Sequence, residues 1–344
     1  YLSVAQWVNG AVLPTDLAFH PGYGVLLSPF GGSAGPTLHT SALILNGALA
    51  GLCILLAAAL ARRLQGPPWT IWAAVMIAAL HPALSSSSRI AWPETLLAAM
   101  VLSAALLLHS NRWTAAGAIC GLAVAVHPRA FVLVVAIVVL GVAERRTKQL
   151  LTGLAPGLLL MAGLLQITGS WPSARVQAAQ SLGDGPGPFT TALGQWLALA
   201  AGTAGLATLG LLIGLRALRN RAEPASNGFV ALSAVGMLLL GAWVLAGSTR
   251  IDTVLYGRYM GPWVVPLTVI GMIAISQRTI ESRIRIFAVL FTVAGVVTAI
   301  SASGGPSFEA RRIMTLSLSS LWATFDMRLV PVAVTAGVIA VFGI

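Results

Sequence analysis

Charge, lysine and cysteine are what this sequence is short of. Charged residues make up 8% of the 344, against roughly 25% in soluble domains, so a water-soluble globular fold is excluded. Lysine occurs once, at Lys148, among 20 basic residues, and only nine acids oppose them. That bias toward arginine, beside abundant alanine and glycine, points to a GC-rich bacterial genome. Cys53 and Cys120 are the only cysteines. Each lies inside an apolar run with no CxxC partner, so both read as packing residues and say nothing of redox compartment. There is no Walker loop and no GxGxxG ahead of a helix, hence no visible site for a soluble nucleotide. No two histidines have the spacing that sets metal ligands on one helix.

What is present is hydrocarbon. Hydrophobic residues make up 57% of the chain and the mean hydropathy is +0.89, which reads as a polytopic membrane protein. A helix needs about 20 apolar residues to cross the hydrocarbon core. Apolar runs fall at about 38–61, 69–84, 94–108, 115–126, 130–143, 150–167, 191–216, 228–247, 263–277, 286–302 and 329–344. The expectation is an all-α, polytopic transmembrane bundle, one domain over 1–344 with about eleven helical segments. Residues 1–37 form its first loop, expected to be extracytoplasmic. The chain begins at Tyr1 without a methionine and ends inside an apolar run, so it is expected to be a piece lacking material at one or both ends.

The net charge of +11 would suggest nucleic acid in a soluble chain. Here the charges sit in short loops between apolar runs, where membrane topology and anionic head groups account for them. Place loop 1–37 outside and read His127-Pro128-Arg129 as an outward turn between two short helices. The inside loops then hold 12 cations against three acids, and the outside loops eight cations against six acids. Positive charge collects inside, as topology requires. If the His-Pro-Arg break were only a kink, the basic loops would fall on both faces.

The outer face gathers the residues able to do chemistry. Four stretches stand out there, each with a plainer reading beside it. Residues 14–30 combine Asp16, His20 and Tyr23 with rigid Pro and Gly turns; the plainer reading is a connecting loop. Residues 85–94 carry Arg89 and end in Pro93-Glu94, where a carboxylate in a first helical turn favours the helix dipole. An acid at membrane depth is also costly enough to be a site candidate. His127-Pro128-Arg129 offers a guanidinium that can bind phosphate by paired hydrogen bonds, or merely snorkel to the head groups. The fourth runs from Asp252 through Arg258-Tyr259 to Pro266, where a snorkelling arginine beside an interfacial tyrosine is the plainer account. Together these place Arg89, Arg129 and Arg258 around one outer cavity, suited to an anionic lipid phosphate whose tail stays in the bilayer.

Four segments over residues 1–266 resemble the GT-C superfamily of integral-membrane glycosyltransferases. His20 to Tyr23 is similar to the His-Pro-x-Tyr segment in the first outer loop of protein O-mannosyltransferase relatives. Glu94 opens the helix after the next outer loop. Gly121-Leu-Ala-Val-Ala-Val-His-Pro-Arg-Ala130 is similar to a Gly-Leu-x-x-x-Thr-Arg-Pro turn, and Arg258-Tyr259-x-x-Pro262-x-x-x-Pro266 to an Arg-Tyr-x-x-Pro-x-x-Pro stretch. One departure matters: the family sets its catalytic aspartate just after its first transmembrane helix, and no apolar span precedes Tyr1. The main base is therefore expected upstream of Tyr1, with Asp16 as the one early acid.

The resemblance implies sugar transfer from a polyprenyl-phosphate donor to a hydroxyl on a glycan or lipid acceptor, outside the membrane. Arabinose or mannose is the sugar it suggests. Asp16 and Glu94 stand as the catalytic candidates; His20, Tyr23, Arg89, His127, Arg129, Arg258 and Tyr259 as substrate-binding ones. It demands no cofactor, leaves room for a divalent cation, and makes membrane lipids, not nucleic acid, the surroundings. The alternative is a transporter or flippase of a lipid-linked anion, which would use the same arginines without a base. Its helices would be broken at the midplane, whereas the Pro and Gly breaks here cluster at the outer ends.

Overall fold

The computed structural model describes residues 1–12, 20–30, 35–168, 187–220, 224–246, 257–277, 280–301, 318–325, 328–342 and 344. Every regular element among them is helical. Two short helices, α1 (Leu2–Val8) and α2 (Gly22–Leu27), precede α3 (Gly35–Arg63), α4 (Pro68–Leu80), α5 (Pro82–Ser87) and α6 (Glu94–His109). Next come α7 (Trp113–Val126), α8 (Phe131–Ala143), α9 (Thr147–Thr168), α10 (Pro188–Gly202), α11 (Leu206–Ala217) and α12 (Ala225–Leu245). The last are α13 (Gly261–Ser276), α14 (Ser282–Ser301), α15 (Ser319–Thr324) and α16 (Leu329–Phe342). Among the described residues five helices are long and apolar enough to cross a membrane: α3, α9, α12, α13 with the turn before it, and α14. Helices α12 and α13 are the inner ones, while α3, α9 and α14 turn most of their surface outward. Their outer faces carry exposed Ile44, Leu55, Leu159 and Leu290, apolar side chains suited to a lipid surrounding.

The predicted single span over 191–216 is two helices, so this break falls inside a run and not, as expected, at an outer end. The chain breaks after Gly202, and α11 leaves at 114° to α10. The break has a local cause. Ala204 and Gly205 take left-handed φ of 46° and 79°, and the Gly205 N–H returns to the Ala200 carbonyl at 2.7 Å, the closure that ends a helix. Gly205 tolerates this because it has no Cβ. The last turns of α11 pack on the first turns of α12, where a methyl on Gly214 would meet the Asn227 carbonyl and Ala231.

The break at His127 is a reversal. Leu150 of α9 lies against both Gly117, early in α7, and Gly141, late in α8, so the two helices form a hairpin. Between lipid-facing helices no water is released on contact, and association relies on close packing of small residues. Helices α7 and α9 meet through Gly117 and Gly121 on one side and Gly153 and Gly157 on the other. A methyl on Gly153 would strike the Thr114 carbonyl, and one on Gly157 the Gly121 backbone. Helices α11 and α13 meet likewise at Gly210 and Gly271.

The helix ends sort into two levels. At one, α3, α6 and α8 close with the same turn: Gln65, Asn111 and Arg145 take φ of 57°, 58° and 57°, and the following N–H reaches back to Ala61, Leu107 and Gly141. The loops of this basic end touch one another. Gln277 donates to the Gln65 carbonyl at 3.3 Å, Ser226 meets His109 at 3.4 Å, and Arg216 pairs with Glu281 at 2.8 Å. The other end holds the candidate site.

Candidate functional site

Three helix starts converge here. Pro93 ends a turn and Glu94 opens α6. The reversal between α7 and α8 delivers Arg129 from a 3-10 turn, Pro128–Ala130. A second 3-10 turn, Arg258–Met260, leads into α13. One oxygen collects both cations: Glu94 Oε1 lies 2.6 Å from Arg258 Nη2, 2.7 Å from Arg258 Nε and 3.2 Å from Arg129 Nη2. Each guanidinium also lies over an aromatic face, Arg258 over Trp92 at 3.5 Å and Arg129 over Tyr259 at 4.2 Å. Stacking on an aromatic ring and forked hydrogen bonding are what arginine does and lysine does not.

The electrostatics favour an anion. Two positive side chains share one carboxylate, so the cluster carries a net positive charge. The Glu94 side chain is only 2% exposed, whereas Arg129 and Arg258 keep 12% and 15% of theirs open. The cations are therefore the reachable part. Glu94 Oε2 has no hydrogen-bond partner among the described residues. His127 is buried and its Nδ1 accepts the Arg129 backbone N–H at 3.1 Å. The Arg129 side chain lies against the same ring, Nε at 3.3 Å from Nδ1 and Nη2 at 3.1 Å from Nε2. His127 thus fixes the turn and the guanidinium together.

Other predicted residues stand behind the cluster. His20 is buried and its Nδ1 meets the Val124 carbonyl in the last turn of α7. Gly22 rests on the Ala125 carbonyl, where any Cβ would clash. Tyr23 is fully buried, edge-on to Tyr1, and donates to Asn46 Oδ1 at 2.9 Å. Arg89 is exposed, with no side-chain partner among the described residues. Asp16 and Asp252 lie outside them.

Asn46 is a residue that the motifs did not point to. It sits fully buried in α3 and donates to the Ile90 and Trp92 carbonyls at 2.7 and 3.0 Å. With Tyr23 on its other atom, it ties the first loop to the segment that aims Trp92 and Glu94. The signal was there, since an asparagine inside an apolar run must face a partner.

A divalent cation does not fit the described residues. None of the described His, Cys, Asp and Glu gather in threes, and the buried carboxylate present is flanked by two guanidinium groups that repel a metal.

No family model matches the chain, and no curated protein does. Among solved structures it is similar to the crystal structure of the Archaeoglobus fulgidus oligosaccharyltransferase in complex with zinc and sulfate. The identity is 15% and the TM-score 0.48, over 96% of this chain and 52% of that one. The chain thus spans about half of that protein's length. A likeness so distant leaves the activity to be argued from the residues.

Proposed function

We propose that the chain is a membrane glycosyltransferase of the GT-C kind. It would move a sugar from a polyprenyl-phosphate donor to an acceptor hydroxyl on the extracytoplasmic side, in cell-envelope glycan or glycolipid synthesis. One observation carries this reading. Glu94, Arg129 and Arg258 come from three stretches picked out separately, the first and last 164 residues apart, and they meet on a single carboxylate oxygen.

In the transfer, the bond from the sugar C1 to the phosphate oxygen breaks and a bond from C1 to the acceptor oxygen forms. The leaving polyprenyl phosphate gains negative charge, which Arg129 and Arg258 are placed to stabilise. Glu94 is a positioning residue in this scheme, because its Oε1 is committed to both cations. The acceptor proton passes to a carboxylate, and Asp16 is the candidate for it within these 344 residues. Arabinose or mannose is the proposed sugar.

The test is release of free polyprenyl phosphate from a synthetic donor by protein in liposomes. Arg258→Ala should reduce the rate by a factor of ten or more, since a lost charge-assisted contact costs about 1.5–3 kcal/mol. Movement of the intact donor across the bilayer, without release, would assign transport instead. The side of the membrane has its own check. Cys53 and Cys120 are fully buried, so an added cysteine reports alone. Val12→Cys should react with an impermeant maleimide on intact cells and Arg62→Cys should not; the reverse pattern would put the site in the cytoplasm.

A further inference from the structure

Among the described residues several buried polar groups lack a hydrogen-bond partner, among them Thr95, Trp196, Thr208 and Asn227, and two more lie one turn apart on α10. Gln195 of α10 is fully buried, and neither Oε1 nor Nε2 has a hydrogen-bond partner among the described residues. Thr191, one turn earlier, is fully buried too, and its Oγ1 is equally unpartnered. Residues four apart lie on one helix face, so the two form a single polar strip. Burying such groups without partners is costly, and in a native protein they call for an account.

The strip borders the arginine cluster. A Cβ on Gly241 of α12 would lie 3.0 Å from Gln195 Oε1 and 2.9 Å from Tyr259 Cδ2. A side chain at 241 would have to push the amide or the ring aside. The same Tyr259 ring carries the Arg129 guanidinium at 4.2 Å. Amide, ring and cation are thus successive neighbours.

We propose that Gln195 and Thr191 form a subsite for a neutral, hydroxyl-bearing group, which deepens the glycosyltransferase reading and rests on it. An amide offers both donors and an acceptor, and a threonine hydroxyl offers one of each. A sugar hydroxyl answers all of them without bringing charge into the bundle. The arginines hold the phosphate, and the strip reads the sugar attached to it.

The test compares two ligands on the solubilised full chain: a polyprenyl phosphate bearing the sugar, and the same lipid phosphate without it. Wild type should bind the sugar-bearing lipid more tightly. Gln195→Leu should weaken that binding about tenfold and leave the bare phosphate unchanged, with Thr191→Val acting in the same direction. Both variants should melt at or above the wild-type temperature, because each removes a buried unpaired group. Equal affinity of wild type for the two lipids overturns the subsite and leaves the phosphate reading standing. A melting temperature lowered by Gln195→Leu, or equal weakening of both lipids, overturns it also, since the amide is then structural. If wild type binds neither lipid, the glycosyltransferase reading falls and the subsite with it.

Discussion

At each end of the bundle an arginine meets a glutamate, and the two pairings share little beyond their distance. Arg216 and Glu281 approach to 2.8 Å at the basic end, with 42% and 57% of their side chains exposed. Arg258 and Glu94 approach to 2.6 Å at the other end, with 15% and 2% exposed. Water screens the first pair and makes it nearly dispensable. Burial of the second makes each partner depend on the other. The surroundings tell the same story. The basic end closes with three copies of one backbone turn, whereas the site end uses side chains to hold backbone: Asn46 on residues 90 and 92, and His127 on the Arg129 amide. One end is built to stop helices, the other to aim groups.

The largest effect expected from breaking that contrast is at Glu94. Glu94→Ala leaves two guanidiniums facing each other in a largely buried site, and removing one partner of a buried ion pair costs about 3–5 kcal/mol. Thermal unfolding of the purified protein should show it as a drop of many degrees, or as failure to accumulate. Glu94→Gln keeps the shape but removes the charge, and should fall between Ala and wild type. A loss under about 1 kcal/mol, the range of exposed pairs, would mean that the two ends do not differ energetically.

Next in size is Asn46. Asn46→Ala strands the Trp92 carbonyl and the Tyr23 hydroxyl and leaves the Ile90 carbonyl only the Trp92 N–H, at a cost of about 1–3 kcal/mol for a buried group left unpaired. The effect should extend beyond stability, because the freed segment carries Trp92 and Glu94. Donor binding should weaken in step with Arg258→Ala, although Asn46 touches neither arginine. Asn46→Asp keeps the acceptor for Tyr23 and loses both donors, so it separates the two halves of the clamp.

How far the sequence reached follows from what each feature depends on. Apolar runs mark helices because a membrane satisfies backbone groups only within the segment, and helices fill most of the described part of each run, although 69–84 and 191–216 are each broken in two. The 191–216 run misled because Gly202-Thr-Ala-Gly205 is small and apolar enough to pass as span; its break depends on two left-handed residues that composition does not register. Charge alternation grouped Glu94, Arg129 and Arg258 on one face. Their sharing of a single oxygen, like the fully buried Tyr23 hydroxyl on Asn46, is a pairing between distant stretches that no local pattern encodes. Gln195 was invisible for a related reason: it matters through what it lacks.

The smallest expected effect closes the comparison at the basic end. Glu281→Gln removes the partner of Arg216, but both side chains are well exposed, so Arg216 regains water where it loses a carboxylate. Measured exposed pairs contribute about 0.2–1 kcal/mol, and raised salt should erase even that within a Debye length of about 3 Å at 1 M. Unfolding of wild type and Glu281→Gln, compared at low and high ionic strength, should therefore converge as salt rises. The Glu94 variants should keep their deficit under the same conditions, since salt does not reach a carboxylate that is 2% exposed. If the Glu281 variant loses as much as Glu94→Ala, or keeps its loss in high salt, the basic end is not a screened surface and the contrast between the two ends fails.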